Sequence, residues 1–349
     1  MFMGARNKRA DEQLLTKPAT IFGNLIADVQ HARRSVDAEF YIFASDRTGR
    51  AFAELLGRKS RQGVHVRLLV DGFGSRGLAS SIRRKLRDDG VELCLFSGAG
   101  NCRNHRKMAI IDGTVAYVGG VNIADRYTVG NRLGLWHDAE LRFEGHDTAM
   151  LSQIFEYDYA MANGRRASID VVDDGRMGVY WTECGGGGAM ERLFTDVVRG
   201  AERELIITTP YFIPTPRSFS LMHEAVMRGV EVRVIVPEYS DVWAIDDVMH
   251  HHIAQAMSVG IDVAVCRHSF LHAKMAIVDR RRVVVGSANL DARSFNVNRE
   301  IMVSTYHRGV CADAVLFVDR LMRLSTPPTS RELRCRLPNF VVRMLEPLL

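Results

Sequence analysis

The sequence predicts an α/β protein made of two tandem α/β/α sandwich lobes, related by pseudo-twofold symmetry, with the active site at their interface. Three observations carry that prediction. One small polar set occurs twice at a fixed offset. β-Branched runs of strand length alternate with stretches of helical periodicity. And 349 residues are too many for one ordinary domain but comfortable for two.

The repeat is numerical. His105 and His272 stand 167 positions apart, and so do Lys107 and Lys274, Asp112 and Asp279, and Asn122 and Asn289. Upstream, GVHVRLLV (63–70) parallels GVEVRVIV (229–236) at an offset of 166. A period this long excludes a solenoid and indicates a duplicated domain.

Each half reads in one order. It opens with an amphipathic helix, IFGNLIADVQHARR (21–34) or MERLFTDVVRGAER (190–203), with apolar residues at helical spacing and basic residues near the end. A strand follows, DAEFYIF (37–43) or IITTPYFI (206–213). Then comes the Gly-led β-branched run, a loop, and the polar motif on a strand of its own. Helices alternating with buried strands imply a layered α/β lobe. The polar, turn-rich stretch 161–175 sets the expected division at 1–165 and 166–349.

Composition narrows the class. The chain is 47% hydrophobic and 25% charged, enough for a sizeable core. A net charge of +5 suits anionic lipid, phosphate substrates or nucleic acid and selects none of them. Six scattered cysteines with no CxxC pair argue against a zinc site and a dense disulfide framework, and point to a reducing compartment. His250, His251 and His252 are consecutive on an expected helix, so they point in different directions and suit surface or cleft-rim roles better than a metal site. No charge-free apolar run approaches the length of a membrane span, so work on a membrane would be done from its surface. The apolar end of the chain (339–349) is expected to dock on the core.

The chemistry lies in H-x-K-x4-D, twice. Alternation along a strand projects His105 with Lys107, and His272 with Lys274, while Arg106 and Ala273 point away. Imidazole serves as nucleophile, base or acid near neutral pH, and the lysine supplies fixed charge for a phosphoryl oxygen. Asp112 and Asp279 fall at the far end of each strand and are expected to hold it and its turn. After each motif, Gly119, Gly120 and Asn122, or Gly286, Ser287 and Asn289, supply close-approaching backbone and an amide donor. Two such pairs across one cleft form a complete set for displacement at a phosphodiester, with neither metal nor cofactor.

These residues resemble the phospholipase D superfamily with its two HKD motifs, and within it the bacterial cardiolipin synthases. The narrower likeness lies in TTPYFIP (208–214) and VGSANLDARSFNVNRE (285–300). The resemblance implies a phosphatidyltransferase that condenses two phosphatidylglycerol molecules into cardiolipin and glycerol through a phosphohistidine. It further implies His105 as nucleophile, His272 as acid/base, and Asp138 and Glu300 as the carboxylates that orient them. The expected partners are the phospholipid substrate and an anionic membrane surface, contacted peripherally on the inner face from the cytoplasm. The alternative is a phosphodiesterase using water as acceptor on phospholipid or, less in keeping with two motifs in one chain, nucleic acid. Because both His, Lys, Asp and Asn sets are intact, an inactive anion-binding protein is disfavoured. One departure is CGGGGAM (184–190) where the family carries Gly-Pro, expected to give a looser loop.

Overall fold

A computed structural model describes residues 12–98, 100–145, 148–169, 177–330 and 332–333. The apolar end 339–349 and part of the expected boundary stretch lie outside the described residues.

The first lobe runs β1 (Glu12–Leu15), α1 (Pro18–His31), β2 (Ser35–Phe40), α2 (Arg47–Arg61), β3 (His65–Asp71), α3 (Ser80–Asp88) and β4 (Glu92–Phe96). It continues through β5 (Lys107–Ile111), β6 (Val115–Gly119), the short β7 (Leu135–His137), β8 (Glu140–Glu144) and α4 (Thr148–Ala162). The second runs β9 (Gly178–Trp181), α5 (Ala189–Gly200), β10 (Glu204–Thr208), α6 (Pro216–Met227), β11 (Glu231–Pro237), α7 (Trp243–Ser258) and β12 (Asp262–Cys266). It closes with β13 (Ser269–Leu271), β14 (Lys274–Val278), β15 (Arg282–Gly286), α8 (Ala292–Asn296), β16 (Ile301–Thr305), α9 (Arg308–Arg323) and β17 (Ser325–Thr326).

The two large sheets share one order. The first is β1-β8-β6-β5-β2-β3-β4, and the second, read in the opposite sense, carries β16-β15-β14-β10-β11-β12 at its centre. In both, three parallel strands adjoin antiparallel strands that carry the HKD motif and its tail. β5 and β14 are therefore interior strands, and every residue of each is buried. Alternation decides where their side chains go. Met108 and Ile110, with Met275 and Ile277, join one core cluster shared by both lobes. Ala109 and Ile111 face the α1–α2 side, and Ala276 and Val278 the α5–α7 side. The shared cluster also takes Leu151 and Phe155 of α4 and Phe317 and Leu321 of α9, so each sheet is covered on both faces. The layered α/β lobes expected from the repeat are present.

Local signals start the helices. Asp46 caps α2 by accepting from Gly49 N, and Thr215 caps α6 with Pro216 in its first turn. The basic run on α3 is a solvated face, with Arg84, Lys85 and Arg87 exposed. His252 departs from the surface reading of its cluster: it is 6% exposed, on the inner side of α7.

Two further expectations change. The 184–190 loop is bonded in place rather than loose. Gly185 N donates to Val297 O at 3.2 Å, and Gly185 to Gly188 all have left-handed φ, between 61° and 92°. A Cβ on Gly186 would lie 2.5 Å from Phe295 O. Cys102 is joined to Cys184 in a disulfide, while Cys94, Cys266 and Cys311 are buried and free. Such a bridge persists under oxidising conditions, so it weighs against the reducing-compartment inference. Among the described residues, no helix is long and apolar enough to cross a membrane.

Candidate active site

The lobes are stitched together at two equivalent places, each just before a motif histidine. His105 N donates to Arg299 O at 2.9 Å, and Arg299 N to Arg103 O at 2.9 Å. On the other side β13 pairs in parallel with β7, and His272 N donates to His137 O at 2.8 Å. Each seam sets a histidine beside the residue following its partner segment in the opposite lobe. Those residues are Glu300 and Asp138.

The carboxylates therefore cross over. His105 Nδ1 lies 2.9 and 3.1 Å from the two oxygens of Glu300. His272 Nδ1 lies 2.6 Å from Asp138 Oδ2. Each imidazole is held by the other lobe through Nδ1, and among the described residues no hydrogen bond engages either Nε2. This is the arrangement by which a carboxylate selects a histidine tautomer and stabilises its charged form.

Burial sets the electrostatics. The side chains of His105 and His272 are 14% and 9% exposed. For His105, desolvation together with Lys107 and Lys274 outweighs Glu300 and brings the imidazole down to about 4. For His272, desolvation and Lys274 outweigh Asp138 and again give about 4. Both rings are neutral at pH 7. Desolvation raises Asp138 and Glu300, but the nearby histidine and lysine charges prevail and hold each carboxylate below its usual value.

Lys107 and Lys274 are buried, and each ammonium donates back to the carbonyl of its own motif histidine. Burial first, then (for Lys107) the charge of Lys274, brings Lys107 to about 7; burial brings Lys274 to about 8. That each lysine feels the other half-site shows the two sets share one field.

The remaining motif residues divide. Asn122 Oδ1 accepts from Ile42 N, and its Nδ2 donates to Tyr127 OH at 2.7 Å, leaving one N–H. Asn289 is 6% exposed, and its Oδ1 has no protein partner. Asp112 and Asp279 lie a full strand away from their histidines, seven positions and about 23 Å along the extended chain. The Asp112 carboxylate accepts from the amides of Arg33, Arg34 and Ser35, and Asp279 from those of Glu202, Arg203 and Glu204. Both adopt left-handed φ, 54° and 48°. They tie the first helix of each lobe to its central strands and do not reach the cleft.

The small residues after the motifs have a role other than cradling an anion. A Cβ on Gly120 would lie 2.1 Å from Asp138 Oδ1, so the glycine makes room for the carboxylate. At the matching position Ser287 donates its hydroxyl to Glu300 Oε2 at 2.5 Å.

Sequence reasoning missed a second set of residues. Tyr41 packs on His105 at 4.8 Å between ring centroids, and Tyr127 and Trp136 on His272 at 5.4 and 5.1 Å. Tyr211 OH bonds Asp241 Oδ1 at 2.5 Å, and Asp241 acts on both His272 and Lys274. Arg106, pointing away from the cleft, donates to Thr182 O and Glu300 O and pairs with Asp158, which also binds Arg299 at 2.8 Å. Tyr41 lies on the expected strand 37–43 and Tyr211 inside the resemblance segment 208–214; Arg106 is expected to face away from the cleft, and nothing in the sequence pairs it with Asp158.

Two histidines, each backed by a carboxylate and flanked by a lysine, on duplicated α/β lobes, define a phosphodiester-transferring enzyme of the phospholipase D superfamily. The family described as cardiolipin synthase, PLD-like domain, matches residues 25–145 and 194–321. The chain belongs to that family, and with it to the phosphatidyltransferases.

It is 30% identical to a cardiolipin synthase of Geobacillus sp. (strain WCH70), over 97% of this chain and 72% of that protein. It is 33% identical to cardiolipin synthase A of Pseudomonas putida (strain W619), over 85% of this chain and 65% of that protein. Among solved structures, a phosphatidylserine synthase of Haemophilus influenzae Rd KW20 superposes with a TM-score of 0.76 at 15% identity, covering 96% of this chain and 92% of that one. A polyphosphate kinase of Porphyromonas gingivalis reaches 0.67 at 14% identity, over 92% of this chain and 49% of the other. At those identities the structures speak for the fold.

Proposed function

We propose that this chain condenses two molecules of phosphatidylglycerol into cardiolipin and glycerol through a phosphohistidine, with His105 as nucleophile and His272 as acid and base. The crossed histidine–carboxylate pairing carries the reading, because it leaves one Nε2 on each side of a shared cleft.

His105 Nε2 attacks the phosphorus of the first lipid, with Glu300 stabilising the charge that develops on the ring. The bond from phosphorus to the headgroup glycerol breaks, and that oxygen takes the proton from His272 Nε2. Phosphatidylated His105 remains. The terminal hydroxyl of the second lipid gives its proton to His272 and attacks the same phosphorus. The N–P bond breaks and cardiolipin leaves.

Lys107, Lys274 and the Asn122 and Asn289 amides hold the phosphoryl oxygens. The acid step requires His272 to be charged although burial keeps it neutral in the empty cleft. An entering phosphodiester anion supplies the opposite charge that raises it. Aromatic rings around both histidines limit water, which favours an alcohol acceptor over hydrolysis.

In this reading the protein works at an anionic membrane surface, on the inner face. The inner-face placement makes a chemical demand: Cys102 and Cys184 should react with thiol reagents in intact cells, and protection until reduction contradicts it. For the reaction, purified protein is given phosphatidylglycerol vesicles and the lipids are identified by mass spectrometry. Cardiolipin with released glycerol is expected. Phosphatidic acid alone makes the chain a lipase instead, and absence of lipid turnover overturns the substrate.

A further inference from the structure

We infer that the cleft docks onto anionic bilayers through a built rim, two exposed aromatic residues at pseudo-twofold-related positions, Phe73 and Tyr239, backed by the guanidinium groups of Arg76 and Arg103. The inference rests on the lipid-substrate reading above and names the surface that reading requires.

Phe73 and Tyr239 are 166 positions apart, the offset of the strands that precede them. Each follows the C-terminal end of a parallel strand, β3 or β11, the end at which α/β sheets present their clefts. They are 51% and 50% exposed. Large aromatic rings half in water, at matching places in both halves of a duplicated chain, are not explained by packing.

Both loops border the site. Asp71 holds the first by accepting from Phe73 N and Gly74 N with one oxygen and from Asn104 N with the other. A Cβ on Gly74 would touch the Tyr41 ring, itself in edge-on contact with His105. The second loop carries Asp241, which acts on His272, and Val242 beside it is 41% exposed.

Charge selects the occupant. Arg103 and Arg76 lie 4.3 and 4.7 Å from the Phe73 ring. Among the described residues the Arg103 guanidinium donates to Cys102 O and Asn101 Oδ1, and neither guanidinium is in an ion pair, although Arg103 acts on the nearby Asp71 carboxylate. On the Tyr239 side, Glu238 is answered by Arg267 at 3.5 Å. The rim therefore offers two aromatic wedges with its positive charge, Arg76 and Arg103, gathered around Phe73, which fits the headgroup layer of an anionic bilayer.

The test is vesicle sedimentation with phosphatidylglycerol/phosphatidylcholine (1:1) and pure phosphatidylcholine. It compares wild type, the double variant Phe73→Ser/Tyr239→Ser, and Arg76→Gln. Turnover of a short-chain phosphatidylglycerol held below its aggregation threshold is measured in parallel. Wild type should prefer the anionic vesicles. The double variant should lose roughly tenfold or more in vesicle binding and vesicle turnover, with turnover of the monomeric lipid intact. Arg76→Gln should weaken binding about fivefold, only on the anionic vesicles.

Unchanged vesicle binding by the double variant overturns the proposal. So does an equal loss on monomeric and vesicular lipid, or a shift from dimer to monomer in light scattering with vesicle binding retained, which would make the rim a self-association surface. If wild type turns over neither form of lipid while its binding still depends on Phe73 and Tyr239, the docking surface stands and the substrate reading fails.

Discussion

The two half-sites have the same fold, motif and field, yet they are supported differently. His105 is flanked by Asn104 and Arg106; the matching neighbours of His272 are Leu271 and Ala273. Beneath Asn104 lie Glu39, bonded to it at 2.6 Å, and Asp71; the matching strand positions hold Thr208 and Pro237. Beside Asp138 on its strand stands Glu140, raised far above its usual value by burial, where the second lobe has Met302. Beside its histidine, the Glu300 carboxylate has the Ser287 hydroxyl as a second partner, whereas Asp138 has the Ala139 amide at 2.9 Å and the space left by Gly120. The chain neighbours of the first histidine are thus polar and those of the second apolar, while the carboxylate of the second has the buried carboxyl of Glu140 beside it and that of the first has Met302. A group that forms and breaks a bond to phosphorus needs its position held, whereas one that shuttles a proton tolerates a softer setting. The proposed mechanism takes His105 as the nucleophile, in keeping with that difference.

The largest effect comes from removing either ring. His105→Ala and His272→Ala should each lower kcat by roughly 10⁴-fold or more. They should separate in single-turnover trapping with a good leaving group: His272→Ala still accumulates phosphohistidine, and His105→Ala forms none. Equal labelling of both variants breaks the assignment.

Next is the brace peculiar to the first half-site. Arg106→Ala leaves Asp158, 0% exposed, with a weakened ion pair and frees the Glu300 carbonyl. Denaturant unfolding should show a loss of about 3–5 kcal/mol.

The pH profile of kcat/KM tests the shared field. The rate constant should peak near 4, where His105 can be neutral while His272 still carries a proton, and fall with rising pH as His272 loses its proton and then Lys107 and Lys274 lose theirs at about 7 and 8. A profile flat from 5 to 9 would contradict the electrostatics.

The smallest expected effect is Ser287→Gly, which gives the second lobe's turn the residue of the first. Losing one hydrogen bond to Glu300 should cost about tenfold in phosphohistidine formation and leave its breakdown unchanged.

Much of this was legible in the chain. The fixed offset located both HKD strands, and β-branched alternation placed them inside a layered sheet. The crossing was not legible. By sequence distance Asp138 belongs with His105, 33 positions away, yet it serves His272 from 134 positions away. What decides the matter is backbone pairing between segments 103–105 and 299, and between 135–137 and 269–271, and neither seam has a side-chain pattern to announce it. Gly120 reads as a flexible turn until the Asp138 carboxylate is seen in the space it leaves. The Cys102–Cys184 bridge was hidden because two cysteines 82 positions apart form no motif.

The central claim is the crossed site, and the most direct measurement is single-turnover phosphohistidine trapping in Glu300→Gln and Asp138→Asn. The account predicts that Glu300→Gln behaves like His105→Ala, with no trapped intermediate, and that Asp138→Asn behaves like His272→Ala, accumulating an intermediate that fails to transfer. The reverse pattern, with Asp138→Asn abolishing the intermediate and Glu300→Gln preserving it, would contradict the crossing.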